Sequence, residues 1–340
     1  MAMKKLLGVW LGVLFCCNVL ANDVTLNPTH PDRYVVVKGD TLWDISARFL
    51  ALPWRWPDIW QANEQIANPH LIYPGDVLEL SFIDGRPRLT LSRGNGKLSP
   101  SIRRSSLDEA IPTIPVDAIA AFLNKPRVMS QQEYDAAPYI VAFDDEHILG
   151  SPGNKAYVRA LQDSAQEGYS VVRQGEEYKD GVSGEALGFE SVFIAESTVL
   201  STGDPAAVML SKTTREVRKG DRLLPATEGP IVQNYFPHAP KKDIKGTIIG
   251  VVDGVTQIGK LDIVVIDRGA RDGVEAGHVL QIDQAGETVR DVIAGAGAEV
   301  TLPDEKAGLL MVFRTFERLS YAIVMQSKRV MHRLDVVRTP

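Results

Sequence analysis

The sequence predicts an α+β protein in which a small N-terminal βααβ domain precedes a mainly β region with small barrel-like modules. Two observations carry this prediction. Residues 34–80 contain two strand patterns that enclose two helix patterns. From about residue 155 onward, short apolar and β-branched runs alternate with turn residues, which is typical of strands. A chain of 340 residues has room for two or three such domains.

The first 21 residues have the pattern of a secretory signal peptide. Lys4 and Lys5 precede an apolar run from Leu6 to Leu20, and Ala21 supplies a small residue at the predicted cleavage site. The apolar run is shorter than the roughly 20 residues that a membrane-spanning helix needs, so we expect cleavage rather than a membrane anchor. The mature protein is therefore not expected to be an integral membrane protein.

The cysteine content indicates the compartment. Cys16 and Cys17 both lie in the predicted signal peptide, so the mature chain would have no cysteine. Lipidation is disfavoured, because Phe15 is not the small residue that usually precedes a modified cysteine, and it stays open as an alternative. A secreted chain without disulfides must be held by burial alone, and a periplasmic location fits these properties. The net charge of −6 argues against general nucleic-acid binding.

The opening of the mature chain predicts a strand that turns sharply into a helix. Residues 34–37 are Tyr-Val-Val-Val, and Gly39 supplies the permissive backbone for leaving a strand. Thr41 is a good N-cap, with Asp44 three residues on. A second helix is predicted from Pro57 and ends at Asn68-Pro69, and residues 71–76 are turn residues that lead into a strand at 77–80.

Two stretches of this unit resemble the two halves of a LysM domain. They are VKGDTLWDI at 37–45 and IYPGDVL at 72–78, within a predicted domain of residues 33–82. The resemblance implies binding to glycans that contain N-acetylglucosamine, such as the GlcNAc-MurNAc strands of peptidoglycan. It also implies a groove between two loops. The residues implied as its walls are Gly39, Asp40, Thr41 and Leu42 on one side, and Pro69, Leu71, Ile72 and Tyr73 on the other. The alternative is that the polar residues of these loops only cap and turn the backbone.

The segment between the two predicted helices is longer than in most LysM domains and carries Trp54 and Trp56. These rings could stack on sugars or on a protein partner, since aromatic side chains supply large rigid contact areas. They could equally enlarge the core of a small domain.

The rest of the chain divides into three predicted parts. Residues 83–112 are rich in basic side chains with Gly, Pro and Ser, which predicts a basic linker. Residues 113–250 are predicted as a mixed α/β region, and residues 251–340 as a β-rich module. Similar Gly-containing turns precede apolar runs at 218–225 and 275–282, which suggests similar strand entries into one or more small barrels.

Residues 264–282, VVIDRGARDGVEAGHVLQI, resemble the C-terminal module of flagellar FlgT-like proteins. A LysM domain followed by such a region is similar to the TsaP family of LysM proteins, which is associated with the outer-membrane secretin of the type IV pilus. The resemblance implies a secretin, or a similar envelope assembly, as a partner in a Gram-negative periplasm.

Catalysis is not expected. The mature chain has no cysteine nucleophile, and its histidines show no HxH or HExxH spacing. Asp144-Asp145-Glu146-His147 is the nearest sequence to a metal cluster, but consecutive carboxylates on a turn usually diverge. The Glu-Ser pairs at 190–191 and 196–197 lie among β-formers, whereas lytic transglycosylases place their general acid in a helical cleft. We therefore expect no catalytic residue, no metal and no cofactor.

These expectations describe a non-catalytic adaptor that binds peptidoglycan and contacts an envelope complex. A wall-remodelling enzyme or its activator stays open as an alternative, and so does an anchor for a flagellar structure.

Overall fold

The computed structural model describes residues 24–60, 72–92, 111–115, 117–119, 127–161, 167–226, 235–252, 257–291, 293 and 297–340. The predicted signal peptide lies outside these residues. Among the residues described, no helix is long and apolar enough to span a membrane. The strands form a three-stranded sheet, a seven-stranded sheet, a six-stranded closed barrel and a two-stranded hairpin.

The N-terminal unit contains the predicted order of strand, helix, helix and strand. Its elements are β1 (Arg33–Val35), α1 (Leu42–Phe49), α2 (Trp56–Trp60), β2 (Val77–Ile83) and β3 (Arg86–Ser92). The sheet is antiparallel with the order β1-β2-β3. The predicted continuation of the second helix to residue 66 lies outside the described residues.

Strand β3 corrects the predicted start of the basic linker at residue 83. It pairs with β2 along its whole length, and Leu89 is buried in the core of the unit. Asp84 and Gly85 both have positive φ, as in the two-residue turns that favour Asp-Gly between hairpin strands. The Asp84-Gly85 turn and the alternating apolar residues at 89 and 91 are local signals of this hairpin, and they lie within a segment whose basic composition predicts a linker.

The core of the N-terminal unit draws on nearly every apolar residue of its two helices. One residue from beyond the sheet, Ile111, joins it. The buried members are Val36, Leu42, Ile45, Phe49, Leu50, Trp56, Ile59, Trp60, Ile72, Leu78, Leu89 and Ile111.

The middle region is mainly β. Its helix α3 (Gln131–Ala136) begins at the N-cap Ser130, which forms a capping box with Glu133. Its strands are β4 (Arg127–Met129), β5 (Tyr139–Phe143), β6 (Lys155–Arg159), β7 (Gly168–Lys179), β8 (Ala186–Ser201), β9 (Ala206–Ser211) and β10 (Arg222–Pro225). Pairings run β5–β6, β6–β9, β9–β8, β8–β7, β7–β10 and back from β10 to β5. Six strands thus close a ring, and β4 pairs with residues 189–191 of β8, before the stretch of β8 that pairs with β9.

The C-terminal region forms a closed barrel with the order β11-β12-β17-β16-β13-β18. Its strands are β11 (Lys245–Val251), β12 (Ile263–Ile266), β13 (Val279–Gln284), β16 (Glu305–Thr315), β17 (Ser320–Ser327) and β18 (Val336–Arg338), and the hairpin inserted after β13 is β14 (Thr288–Arg290) and β15 (Glu299–Thr301). Strand β11 starts at Lys245, so the barrel begins before the predicted boundary at residue 251. A small barrel was predicted, and this prediction is confirmed.

Side chains of the barrel strands alternate between its interior and its outer face. On β12, Val264 and Ile266 belong to an interior cluster made only of barrel-region residues. Ile263 and Val265 belong instead to a cluster shared with other parts of the chain. The outer face of the barrel is therefore itself a buried interface.

The N-terminal unit packs on that outer face. Trp43, which is 2% exposed, shares a cluster with Ile263 and Tyr321 of the barrel. Lys260 and Asp44 form an ion pair at 3.0 Å across the same boundary. The N-terminal unit and the barrel are thus in direct contact. The basic linker predicted from the sequence suggested instead that they would be held apart.

The turn between β7 and β8 also reaches the barrel. The side chain of Asp267, at the end of β12, is completely buried. Its carboxylate accepts hydrogen bonds from the Thr247 N–H at 2.7 Å, the Thr247 hydroxyl at 2.6 Å and the Gly181 N–H at 3.1 Å. One buried carboxylate thus joins the middle region to β11 and β12.

Asp180 bonds to Arg268, the residue that follows Asp267, and makes the stability of the fold depend on pH. The Ser183 N–H lowers the pKa of Asp180 below its ordinary value, helped by the Val182 N–H and by Arg268 at 3.0 Å, while burial opposes this shift. A lowered pKa contributes stability above the unfolded value of about 4, and this contribution is lost as pH falls through the folded value.

We therefore expect Asp180→Asn to reduce stability at pH 7 and to flatten the loss of stability below about pH 5. Urea denaturation monitored by far-UV circular dichroism, repeated across the acid range, measures this. Asp243→Asn, at an exposed position, is the matched control. Identical acid profiles for Asp180→Asn and the wild type would contradict the assignment.

Candidate functional site

The first implied wall of the groove is the loop that joins β1 to α1. Gly39 has φ +96°, a left-handed conformation that other residues rarely adopt. The carboxylate of Asp40 accepts hydrogen bonds from the Val37 N–H and the Tyr34 hydroxyl, each at 2.9 Å. Burial, followed by the contact with Asp40, raises the pKa of Tyr34. These two hydrogen bonds show that Asp40 stabilises the conformation of the loop.

Thr41 closes the loop onto the helix. Its hydroxyl oxygen accepts from the Asp44 N–H at 3.1 Å and its hydroxyl donates to the Asp44 carboxylate at 2.8 Å. The predicted N-cap is therefore confirmed. Thr41 is buried, so both of its side-chain bonds serve the helix start.

The second implied wall is the loop that leads into β2. Ile72 is fully buried, and the Tyr73 N–H donates to the Asp76 carboxylate at 3.0 Å. Pro69 and Leu71 lie outside the described residues. The two loops are joined directly, because the Val36 N–H donates to the Asp76 carbonyl and the Gly75 N–H donates to the Val36 carbonyl, each at 2.8 Å.

A segment from beyond the sheet bonds to both loops. The Leu42 N–H donates to the Pro112 carbonyl at 3.0 Å, and the Trp43 N–H donates to the Thr113 carbonyl at 3.1 Å. The Ile111 N–H donates to the Ile72 carbonyl at 2.9 Å. The sequence carried no signal for this contact, since it uses main-chain groups of residues far apart in the chain.

The two tryptophans of the inserted segment have different surroundings. Trp56 is 2% exposed and meets Trp60 edge to face, with ring centroids 6.5 Å apart. Trp54 is partly buried and packs against the cluster between the N-terminal unit and the barrel. Trp56 is thus part of the core, which is the alternative that the sequence left open.

Asp40 should stabilise the first loop measurably. Removing its carboxylate in Asp40→Ala leaves the Tyr34 hydroxyl and the Val37 N–H without this acceptor, so we expect unfolding free energy to fall by about 1–2 kcal/mol. All tryptophans after residue 21 lie between Trp43 and Trp60, so intrinsic fluorescence during urea denaturation reports on this unit. Lys38→Ala, in the same loop, should change it by less than about 0.5 kcal/mol. Equal effects of the two substitutions would count against this role of Asp40.

The carboxylates considered for catalysis occupy ordinary strand and turn positions. Both Glu-Ser pairs lie on β8, as the sequence predicted. Glu196 forms an ion pair with Lys212 at 2.9 Å, and the Ser197 hydroxyl donates to the Tyr169 carbonyl at 3.1 Å. In the turn after β5, Asp144 lies 3.6 Å from Lys155.

The fold brings together two histidines that lie 40 positions apart in the sequence. His238 and His278 lie edge to face, with ring centroids 4.8 Å apart, and Glu275 is close to both. His278 Nδ1 accepts from the Glu275 N–H at 3.1 Å. Burial, and then His238, lower the pKa of His278, so the neutral ring is favoured. The Nδ1 lone pair of this ring is occupied by the Glu275 N–H, so a metal ion bound at Nδ1 would have to displace that hydrogen bond.

Residues 34–81 match the LysM domain family. The chain is also 37% identical over 60 residues, 15% of its length, to the "Uncharacterized protein YqbP" of Bacillus subtilis (strain 168). It spans 27% of the length of that relative. The N-terminal unit is therefore a LysM domain, and LysM domains are a peptidoglycan-binding family.

Proposed function

We propose that this protein is a non-catalytic adaptor of the cell envelope whose LysM domain binds N-acetylglucosamine-containing glycan strands of peptidoglycan. The match of residues 34–81 to the LysM family carries this proposal. The bound groups would be the acetamido and hydroxyl groups of a sugar backbone that is uncharged along its length. Main-chain N–H and C=O groups with flat apolar contacts suit such a ligand better than a charge cluster does.

The geometry of the loops supports this proposal. Both loops carry main-chain groups that bind amide groups, because the N–H groups of Leu42 and Trp43 on one side and the carbonyl of Ile72 on the other are hydrogen-bonded to the peptide groups of residues 111–113. An acetamido group offers the complementary carbonyl and N–H. Tyr73 follows Ile72 on the second loop and is half-buried, and we assign its ring to the flat apolar contact with the sugar.

A sedimentation assay tests this function. Purified full-length protein, after removal of its signal peptide, should pellet with peptidoglycan sacculi and release no soluble muropeptides. Tyr73→Ala should reduce the pelleted fraction, whereas Phe82→Ala, at a side chain 60% exposed in the same unit, should not. Muropeptide release would favour the enzyme alternative, and failure to pellet would contradict the proposal.

We further propose that the C-terminal β region contacts an envelope assembly, with the outer-membrane secretin of the type IV pilus as the preferred partner. The order of a LysM domain followed by a FlgT-like segment at 264–282 supports this proposal by resemblance. The predicted signal peptide supports export from the cytoplasm, and the resemblance to the secretin-associated family supports a Gram-negative periplasm as the location. Cross-linking in intact cells followed by mass spectrometry should capture a secretin subunit, and capture of flagellar components instead would favour the flagellar alternative.

A further inference from the structure

Described residues of both implied walls of the LysM groove are hydrogen-bonded to one other part of the chain. Residues 111–114, Ile-Pro-Thr-Ile, form what is here called the groove segment. Its carbonyls at Pro112 and Thr113 accept the N–H groups of Leu42 and Trp43 from the first wall, and its Ile111 N–H donates to Ile72 in the second. The groove segment therefore bridges the walls.

These bonds complete the N-terminus of α1. The first N–H groups of a helix have no partner within the helix and must find one elsewhere. Here the Asp44 N–H is satisfied by the Thr41 hydroxyl, and the N–H groups of Leu42 and Trp43 are satisfied by the groove segment. The carbonyl of an N-acetyl group could accept from either N–H group only by replacing the main-chain carbonyl of Pro112 or Thr113.

Two apolar anchors hold the groove segment in place. Ile111 is 5% exposed and belongs to the LysM core. Ile114 is fully buried and belongs to the cluster that joins Trp43 to the outer face of the barrel. The segment is thus fastened to the LysM domain at one end and clamped by the barrel at the other.

We propose that the groove segment is an internal competitor of the glycan, so that the LysM domain is closed while residues 111–114 are seated and binds glycan when they leave. This rests on the proposed glycan-binding function. The chemistry is shared, because a peptide bond and an N-acetyl group are both secondary amides that offer one carbonyl and one N–H. Since Ile114 packs against the barrel cluster, separation of the LysM domain from the barrel removes an anchor and favours the open groove.

Calorimetric titration of the full chain with a β-1,4-linked hexamer of N-acetylglucosamine tests the proposal. Ile114→Ser removes the anchor at the barrel and should increase the open fraction, so its apparent affinity should rise at least about tenfold over the wild type. Ile148→Ser, at a side chain 83% exposed in the middle region, should bind like the wild type. Tryptophan fluorescence and circular dichroism verify that the variants are folded.

Three outcomes are distinguishable. Tighter binding by Ile114→Ser supports the internal competitor. Equal binding by all three proteins overturns it and leaves the glycan-binding function standing. Absence of binding by all three overturns both.

Hydrogen exchange on the wild type decides the question if Ile114→Ser does not fold. At saturating hexamer, amide exchange at Ile111 should become faster, because its N–H leaves the Ile72 carbonyl. Unchanged protection at Ile111 in the glycan complex would overturn the proposal.

Discussion

Replacing Asp267 by alanine is expected to lower the unfolding free energy of the barrel by about 3–5 kcal/mol, the range for removing one partner of a buried charged network. The carboxylate is fully buried and accepts three hydrogen bonds, two from Thr247 and one from Gly181. Arg268 lies 3.3 Å away and would lose this counter-charge. The loss is large because the donors stay buried without an acceptor.

Far-UV circular dichroism during urea denaturation measures this effect, since most of the regular structure outside the LysM domain is β. Asp243→Ala, at an exposed position near β11, is the matched control and should stay within about 0.5 kcal/mol of the wild type. A loss below about 1 kcal/mol for Asp267→Ala would mean that water or rearranged side chains replace the carboxylate at little cost.

Trp56→Ala should have the second large effect, a loss of about 3–5 kcal/mol from the unfolding free energy of the LysM domain. The ring is 2% exposed and packs among Phe49, Ile59 and Trp60 in one small cluster. A domain of this size has little core to spare, so we expect the variant to be largely unfolded near 37 °C.

The remaining tryptophans at 43, 54 and 60 keep the fluorescence signal of the domain. Phe82→Ala is the control, because it removes an aromatic ring that is 60% exposed in the same unit. If Trp56→Ala unfolded at the same urea concentration as Phe82→Ala, the ring would not be part of the core, and sugar or protein contact would regain support as its role.

The LysM domain could be predicted from the sequence because the patterns that define it are local. The N-cap at Thr41, the turn at Gly39 and the helix face of Leu42, Ile45 and Phe49 each depend on neighbours a few residues apart. Strand β3 falls within the predicted basic linker, although its turn is also local. The basic side chains around it favoured a linker, and the burial of Leu89 that decides the matter comes from the helices above the sheet.

Contacts between distant parts of the chain are not marked by such local sequence patterns. The ring of the middle region closes through the β10–β5 pairing of Arg222 with Tyr139, 83 positions apart, and the barrel closes through β11–β18, between residues about 90 positions apart. The groove segment binds through main-chain groups, which every residue possesses. Its place between the two loops could therefore be found only from the structure.

The central claim is that the two LysM loops recognise an acetylated amino sugar. Calorimetric titration of the wild type and of Ile114→Ser with the N-acetylglucosamine hexamer, and with its deacetylated counterpart as control, tests this claim most directly. The account predicts saturable binding of the acetylated hexamer, reduced by Tyr73→Ala, and none of the deacetylated one. Equal binding of both hexamers, or binding of neither by either protein, would contradict it.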